Sequence, residues 1–184
     1  FDPAKAKGDV VRKEFDLGKT PVIGIIGRMT AQKGHIYLLK ALPAIIDKCP
    51  DLKLLAVGNG PLKNELTEIC GSLNIKDNVI FAGVREDIPE VLAAVDAVVS
   101  PSVSEGFPYT VLEAMSMGKA VIAASVNGVP EMIAHGQNGL LVQKENVDAI
   151  REAVIELMHN KDFARHLADN ARKTVLERFG VDNM

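Results

Sequence analysis

Residues 22–48 read VIGIIGRMTAQKGHIYLLKALPAIIDK, and three patterns follow one another in them. VIGIIG (22–27) is an apolar, β-branched run closed by glycine. It is too short for a helix and continuous rather than alternating, as a strand buried on both faces requires. A polar loop bounded by glycines comes next, and over 36–48 the apolar residues recur at helical spacing. Strand, loop and amphipathic helix in that order form the repeating unit of a parallel sheet covered by helices.

Outward from this unit the pattern repeats. Short apolar runs at 52–58, 78–83, 96–102, 119–125 and 138–143 are bounded by Gly, Pro, Asn or Asp and read as further strands. The stretches 62–73, 88–95, 111–117 and 129–134 carry helical periodicity between them, and 147–159 and 164–178 read as a closing helical pair. The expected fold is a Rossmann-like, doubly wound α/β sandwich of three layers around a mostly parallel sheet of about six strands. Residues 1–19 are polar and hold no strand, so they read as a lead-in from an interdomain linker, with the domain over 20–184. FGVDNM (179–184) stops just past a helix, and the two ends together suggest a domain cut from a longer protein.

Composition bounds the function. A chain of 184 residues, 47% hydrophobic, is long enough for one sizeable core. A net charge of −3 gives no bulk attraction for nucleic acid or an anionic membrane, so any phosphate site must be local. No run approaches the roughly 20 apolar residues that span a bilayer, and the first fifteen residues lack the plan of a signal peptide. Cys49 and Cys70 sit in apparently helical segments without a CxxC partner and read as reduced thiols. A cytoplasmic place is expected, with a peripheral position at the cytosolic face of a membrane left open.

In doubly wound sheets ligands gather beyond the carboxyl ends of the strands. There the first strand runs into GRMTAQKG (27–34), with Arg28 and Lys33 facing one helix start and Gly27 leaving room for a ligand. A guanidinium, an ammonium and free helix amides suit a pyrophosphate. The competing reading makes both cations solvated charges and Thr30 a helix cap. After the fourth strand Glu105 lies in a loop and Glu113 eight positions on in a helix, so Glu113 could hold a ribose diol and Glu105 the hydroxyls of a sugar. Against this, Thr110-Val-Leu-Glu113 fits a capping box, and Phe107 and Tyr109 could be core anchors. Gly58 and Gly60 in VGNGPL follow a strand too, but a lone Gly-x-Gly is common in turns.

GRMTAQKG (27–34), EGFPYTVLEAMSMGKAVIA (105–123) and SVNGVPEMIAHGQNGLLV (125–142) together resemble the C-terminal domain of group 1, or family 4, retaining glycosyltransferases of the GT-B fold. The resemblance covers nearly the whole chain. It implies that Arg28 and Lys33 contact a donor diphosphate, Glu113 the ribose and Glu105 the donor sugar, with amides of Gly106, Phe107, Tyr109 and Thr110 assisting. Main-chain groups around Val84 and Arg85 would meet the base. Many members carry glycine where this chain has Pro108, which removes an amide donor.

The resemblance further implies transfer of a sugar from a nucleoside-diphosphate sugar, a UDP-sugar by preference, to an acceptor hydroxyl with retention. The acceptor site would lie in an N-terminal domain outside this chain. Arg28 and Lys33 would stabilise the leaving diphosphate without a metal or other cofactor. The sequence has no Asp-x-Asp, and His35, His135, His159 and His166 show no metal-ligand spacing. A nucleotide-sugar-binding module without catalysis, and a nucleotide-sugar 2-epimerase of the same architecture, are the alternatives.

Overall fold

The computed structural model describes residues 1–179. Six strands form one sheet: β1 Val22–Ile26, β2 Lys53–Val57, β3 Val79–Gly83, β4 Ala97–Ser100, β5 Ala120–Ala124 and β6 Leu140–Val142. All the pairings are parallel, in the order β3-β2-β1-β4-β5-β6. Each strand falls inside a run read from the sequence, trimmed at its ends where the ladder stops. Ile23 pairs with Leu54 on one side and Ala97 on the other, so β1 is central.

The apolar runs are continuous because both faces of the sheet are covered. Ile23, Ile25, Leu54, Ala56, Val99 and Ile122 pack into one core, with α2 His35–Ile46, α3 Lys63–Ser72 and α7 Val147–His159. Val22, Leu55, Val57, Val98, Val121 and Ala123 pack into the other, with α1 Gly8–Glu14, α4 Ile88–Ala94 and α5 Tyr109–Ser116. Successive strand residues alternate between the two, the period-2 geometry of a strand. A short α6 Val129–Met132 precedes β6. The last helix, α8 Lys161–Arg178, crosses between layers, with Leu167 in the first core and Ala171 and Val175 in the second. Asn146 and Asn160 start α7 and α8, each side chain accepting from the amide three residues on.

The stretch read as a polar lead-in contains α1, which packs on α4. Its Val11 is fully buried, and a Cβ on Gly8 would lie 2.6 Å from the carbonyl carbon of Ala93. Seven residues with one buried apolar side chain give too little periodicity to show in sequence. Both cysteines are buried free thiols, Cys70 in α3 as expected and Cys49 just past the end of α2. Of FGVDNM, all but Phe179 lies outside the described residues. No helix among the described residues is long and apolar enough to cross a membrane.

Candidate donor-binding site

Strand order places the site. Chain progression reverses between β1 and β4, so the loops after these two neighbouring strands leave in opposite senses and open a crevice between them. These are the loop with Arg28 and Lys33 and the loop with Glu105.

The β1–α2 loop is held by close backbone approaches. Gly34 adopts φ 67°, and a Cβ there would fall 2.0 Å from the Pro101 carbonyl oxygen, so only glycine lets α2 begin against the end of β4. Gly58, at φ 126°, would likewise drive a Cβ to 2.1 Å from the Gly27 oxygen. The Gly-x-Gly of residues 58–60 is therefore the seat of the first loop. Two hydrogen bonds join that loop to the next: Val103 N donates to Gln32 O at 2.8 Å and Gln32 Nε2 to Ser104 O at 3.1 Å. The Thr30 side chain caps nothing.

Within this joint Lys33 Nζ donates to both carboxylate oxygens of Glu105, at 2.8 and 2.9 Å, and Ser102 Oγ donates to Oε1 at 2.5 Å. Glu105 is only 5% exposed and Ser102 is buried. A carboxylate taken out of water is tolerated when an ion pair and further hydrogen bonds satisfy it, which Lys33 and Ser102 do here. Glu105 is thus no solvated loop charge. Arg28 is exposed, and among the described residues no hydrogen bond or ion pair engages its guanidinium.

The β4–α5 loop ends at Pro108, whose φ −83° and ψ 66° close an inverse γ-turn in which Tyr109 N donates to Phe107 O at 2.9 Å. That bond occupies the Tyr109 amide expected to meet phosphate. The Phe107 and Tyr109 rings stand exposed with centroids 4.8 Å apart, not anchored in the core. Because α5 begins at Tyr109, Thr110 and Glu113 are both inside the helix and the capping box does not form. Glu113 is half-buried, has no hydrogen bond or ion pair among the described residues, and burial raises its pKa.

Beyond β3, Val84 is 74% exposed at the start of the loop. The side chain of Arg85 is committed to structure: it donates to Asp87 at 2.7 and 2.8 Å and to Glu14 at 2.5 Å, and it lies over the Phe15 ring. Only the main chain of Arg85 remains for a ligand. A groove of about 530 Å³ lies instead at the amino ends of the strands, beside Arg12 and Lys119. Of the three cations that line it, Lys7 is exposed and the other two are spent on the fold, Lys119 donating to the carbonyls of Ala93 and Val95 and Arg12 to Gly18, Thr20 and Asp96.

Comparison with known proteins gives the family and the fold. The family profile described as glycosyl transferases group 1 matches residues 9–174. The chain belongs to the group 1 glycosyltransferases. This glycosyltransferase chain is 31% identical to the UDP-Gal:alpha-D-GlcNAc-diphosphoundecaprenol alpha-1,3-galactosyltransferase of Escherichia coli, over 98% of its own length and 48% of the relative's. It is 30% identical to a GDP-mannose-dependent alpha-(1-6)-phosphatidylinositol monomannoside mannosyltransferase of Mycobacterium tuberculosis, over 100% of its length and 50% of the relative's. Among solved structures it superposes on Anabaena Alr3699/HepE in complex with UDP and glucose with a TM-score of 0.90 and 27% identity, covering 99% of this chain and 52% of that one. It spans about half the length of the curated relatives it matches.

The glycosyltransferase fold thus brings the β1–α2 loop with Arg28 and Lys33, the loop with Glu105, Gly106 and Phe107, and the start of α5 with Tyr109 and Thr110 to one crevice. Glu113 follows in the helix that leaves it, and Val84 and Arg85 follow β3 at the same sheet end. Sequence reading missed Ser102 and Gln32. Their only signal is proximity in sequence to Glu105 and Lys33: Gln32 bonds across to the other loop, and Ser102 meets Glu105 only because of how its own loop is folded.

Proposed function

We propose that this chain is the donor-binding half of a retaining glycosyltransferase that transfers a sugar from a nucleoside-diphosphate sugar, UDP-linked by preference, to an acceptor hydroxyl. The observation that carries the reading is the pairing of Lys33 with Glu105 at the crevice, with Arg28 exposed in the same loop and unpaired among the described residues. An ammonium has three N–H donors. Two go to Glu105, which leaves a third for a phosphate oxygen, and Arg28 can add a bidentate contact. The amides of Gly106, Phe107 and Thr110 extend the cradle. Glu113, half-buried and without a hydrogen-bond partner among the described residues, is suited to accept from a ribose diol.

In this reading the sugar departs from its diphosphate on the face by which the acceptor enters, so configuration is retained. The negative charge that builds on the diphosphate is met by Arg28 and Lys33, already oriented, and no metal ion is required. Glu105 orients the sugar. The acceptor site and the rest of the catalytic surface belong to an N-terminal domain, consistent with the half-length match to relatives.

Thermal melts with UDP, GDP and ADP test the reading. At about a hundred times its dissociation constant the cognate nucleotide adds roughly 2.7 kcal/mol, a rise of roughly 6–10 °C for a domain of this size. Arg28→Ala is the clean probe, because it removes an exposed side chain without a protein partner and should shrink the rise while leaving the unliganded melting temperature in place. Glu113→Gln should reduce the preference for ribose over 2′-deoxyribose nucleotides. EDTA should change nothing. No rise with any of the three nucleotides refutes the diphosphate site.

A further inference from the structure

The Glu105 carboxylate sits where an anion has to arrive. It is 5% exposed, and Lys33 and Ser102 hold it in place. A phosphate oxygen that bonds the same ammonium at an ordinary length of about 2.8 Å can stand no more than roughly 5.6 Å from Glu105 Oε1, because the Lys33 contact is itself 2.8 Å. Any diphosphate held by Lys33 therefore lies beside a fixed, buried negative charge.

What the diphosphate carries decides how that neighbour acts. A diphosphate esterified to a sugar has no second ionisation on its terminal phosphate, and the sugar brings hydroxyl donors that an acceptor-only carboxylate can use. A free nucleoside diphosphate ends in a phosphate with two ionisable oxygens, the second of which, as in a phosphate monoester, loses its proton near pH ~6, so at neutral pH it carries almost one charge more. Its terminal oxygens offer Glu105 no donor. The carboxylate accommodates the capped ligand and repels the bare one.

Building on the diphosphate reading above, we propose that Glu105 is a charge filter: it opposes the pull of Arg28 and Lys33 on the extra charge of a free nucleoside diphosphate while accepting a sugar-capped one, and so speeds loss of the spent nucleotide after transfer. Ser102 is a positioning residue for it, fixing the Oε1 edge of the carboxylate on the side away from solvent.

Calorimetric titration of this chain with UDP, GDP and ADP identifies the tightest nucleotide. Its β-methyl ester is then the decisive probe, because it caps the terminal charge without adding sugar contacts. Arg28 and Lys33 draw the extra charge of the free nucleotide and Glu105 opposes them, so the ratio of the two affinities in the wild-type chain is the reference. Glu105→Gln keeps the side-chain shape and an acceptor for Lys33, and should shift that ratio toward the free nucleotide by on the order of tenfold for one charge at this separation in a partly solvated site. An unchanged ratio in a folded Glu105→Gln overturns the charge filter and leaves the diphosphate site standing. Binding of neither ligand by the wild-type chain overturns both. If Glu105→Gln fails to fold, Glu105→Ala removes the same charge and must shift the ratio in the same direction.

Discussion

His35 sits one residue past the glycine that joins the two site loops, and it is 4% exposed with neither ring nitrogen hydrogen-bonded. Ile25, Leu39, Leu54, Ala56, Leu66 and Phe81 surround it, with no room for a water molecule. Burial, with help from the nearby Lys33 charge, pushes its pKa down to about 4. The unfolded chain therefore takes up a proton near pH 6.5 that the folded chain refuses until about pH 4. Stability is lost as pH falls through that window, approaching about 3 kcal/mol for this one group, and the loss levels off below it. His35→Leu should be at least as stable as wild type at neutral pH, since it removes two unsatisfied nitrogens, and its advantage should widen on acidification. Urea unfolding at neutral and acid pH measures the difference. Equal pH dependence in the two proteins refutes this account. Nothing in the sequence marks His35 as buried, because it follows a polar loop and starts a helix whose facing is set by the sheet beneath it.

At the scale of elements, the contact between the β1–α2 and β4–α5 loops depends on Gly34. Alanine there meets both a left-handed backbone, which costs a non-glycine residue about 1–2 kcal/mol, and the Pro101 carbonyl 2.0 Å from its Cβ. Gly34→Ala should lower stability by more than about 2 kcal/mol in a denaturant titration and weaken nucleotide binding, because Lys33 and Glu105 approach each other across this joint. Small effects on both would show that the joint yields. Most elements were legible because strand runs and helical faces repeat locally. Helix α1 was not, being seven residues long, and the capping box at Thr110 and Glu113 was a false signal. Pro108 closes its own turn and starts α5 one residue before Thr110, a choice made by backbone geometry rather than by the Thr-x-x-Glu spacing.

For the whole molecule, two covered faces give a chain that spans about half the length of its relatives its own cores. The chain alone is expected to bind a nucleoside diphosphate yet transfer no sugar, and a protein spanning the full length of its relatives is expected to transfer. An assay of donor consumption by the two proteins checks this, and turnover by this chain alone would refute it. The sequence by itself determined the type and order of the strands and helices, the family, and the cations and carboxylates to watch, because periodicity and motif spacing are local properties of the chain. Which of these residues meet was decided only by the tertiary structure. The order β3-β2-β1-β4-β5-β6 sets β4 beside β1 and pairs Lys33 with Glu105 across 72 positions, while Arg28 stays unpaired and Arg85 is drawn into ion pairs with Glu14 and Asp87. The physical reason is that an ion pair depends on distance through space, which strand order fixes and local sequence does not.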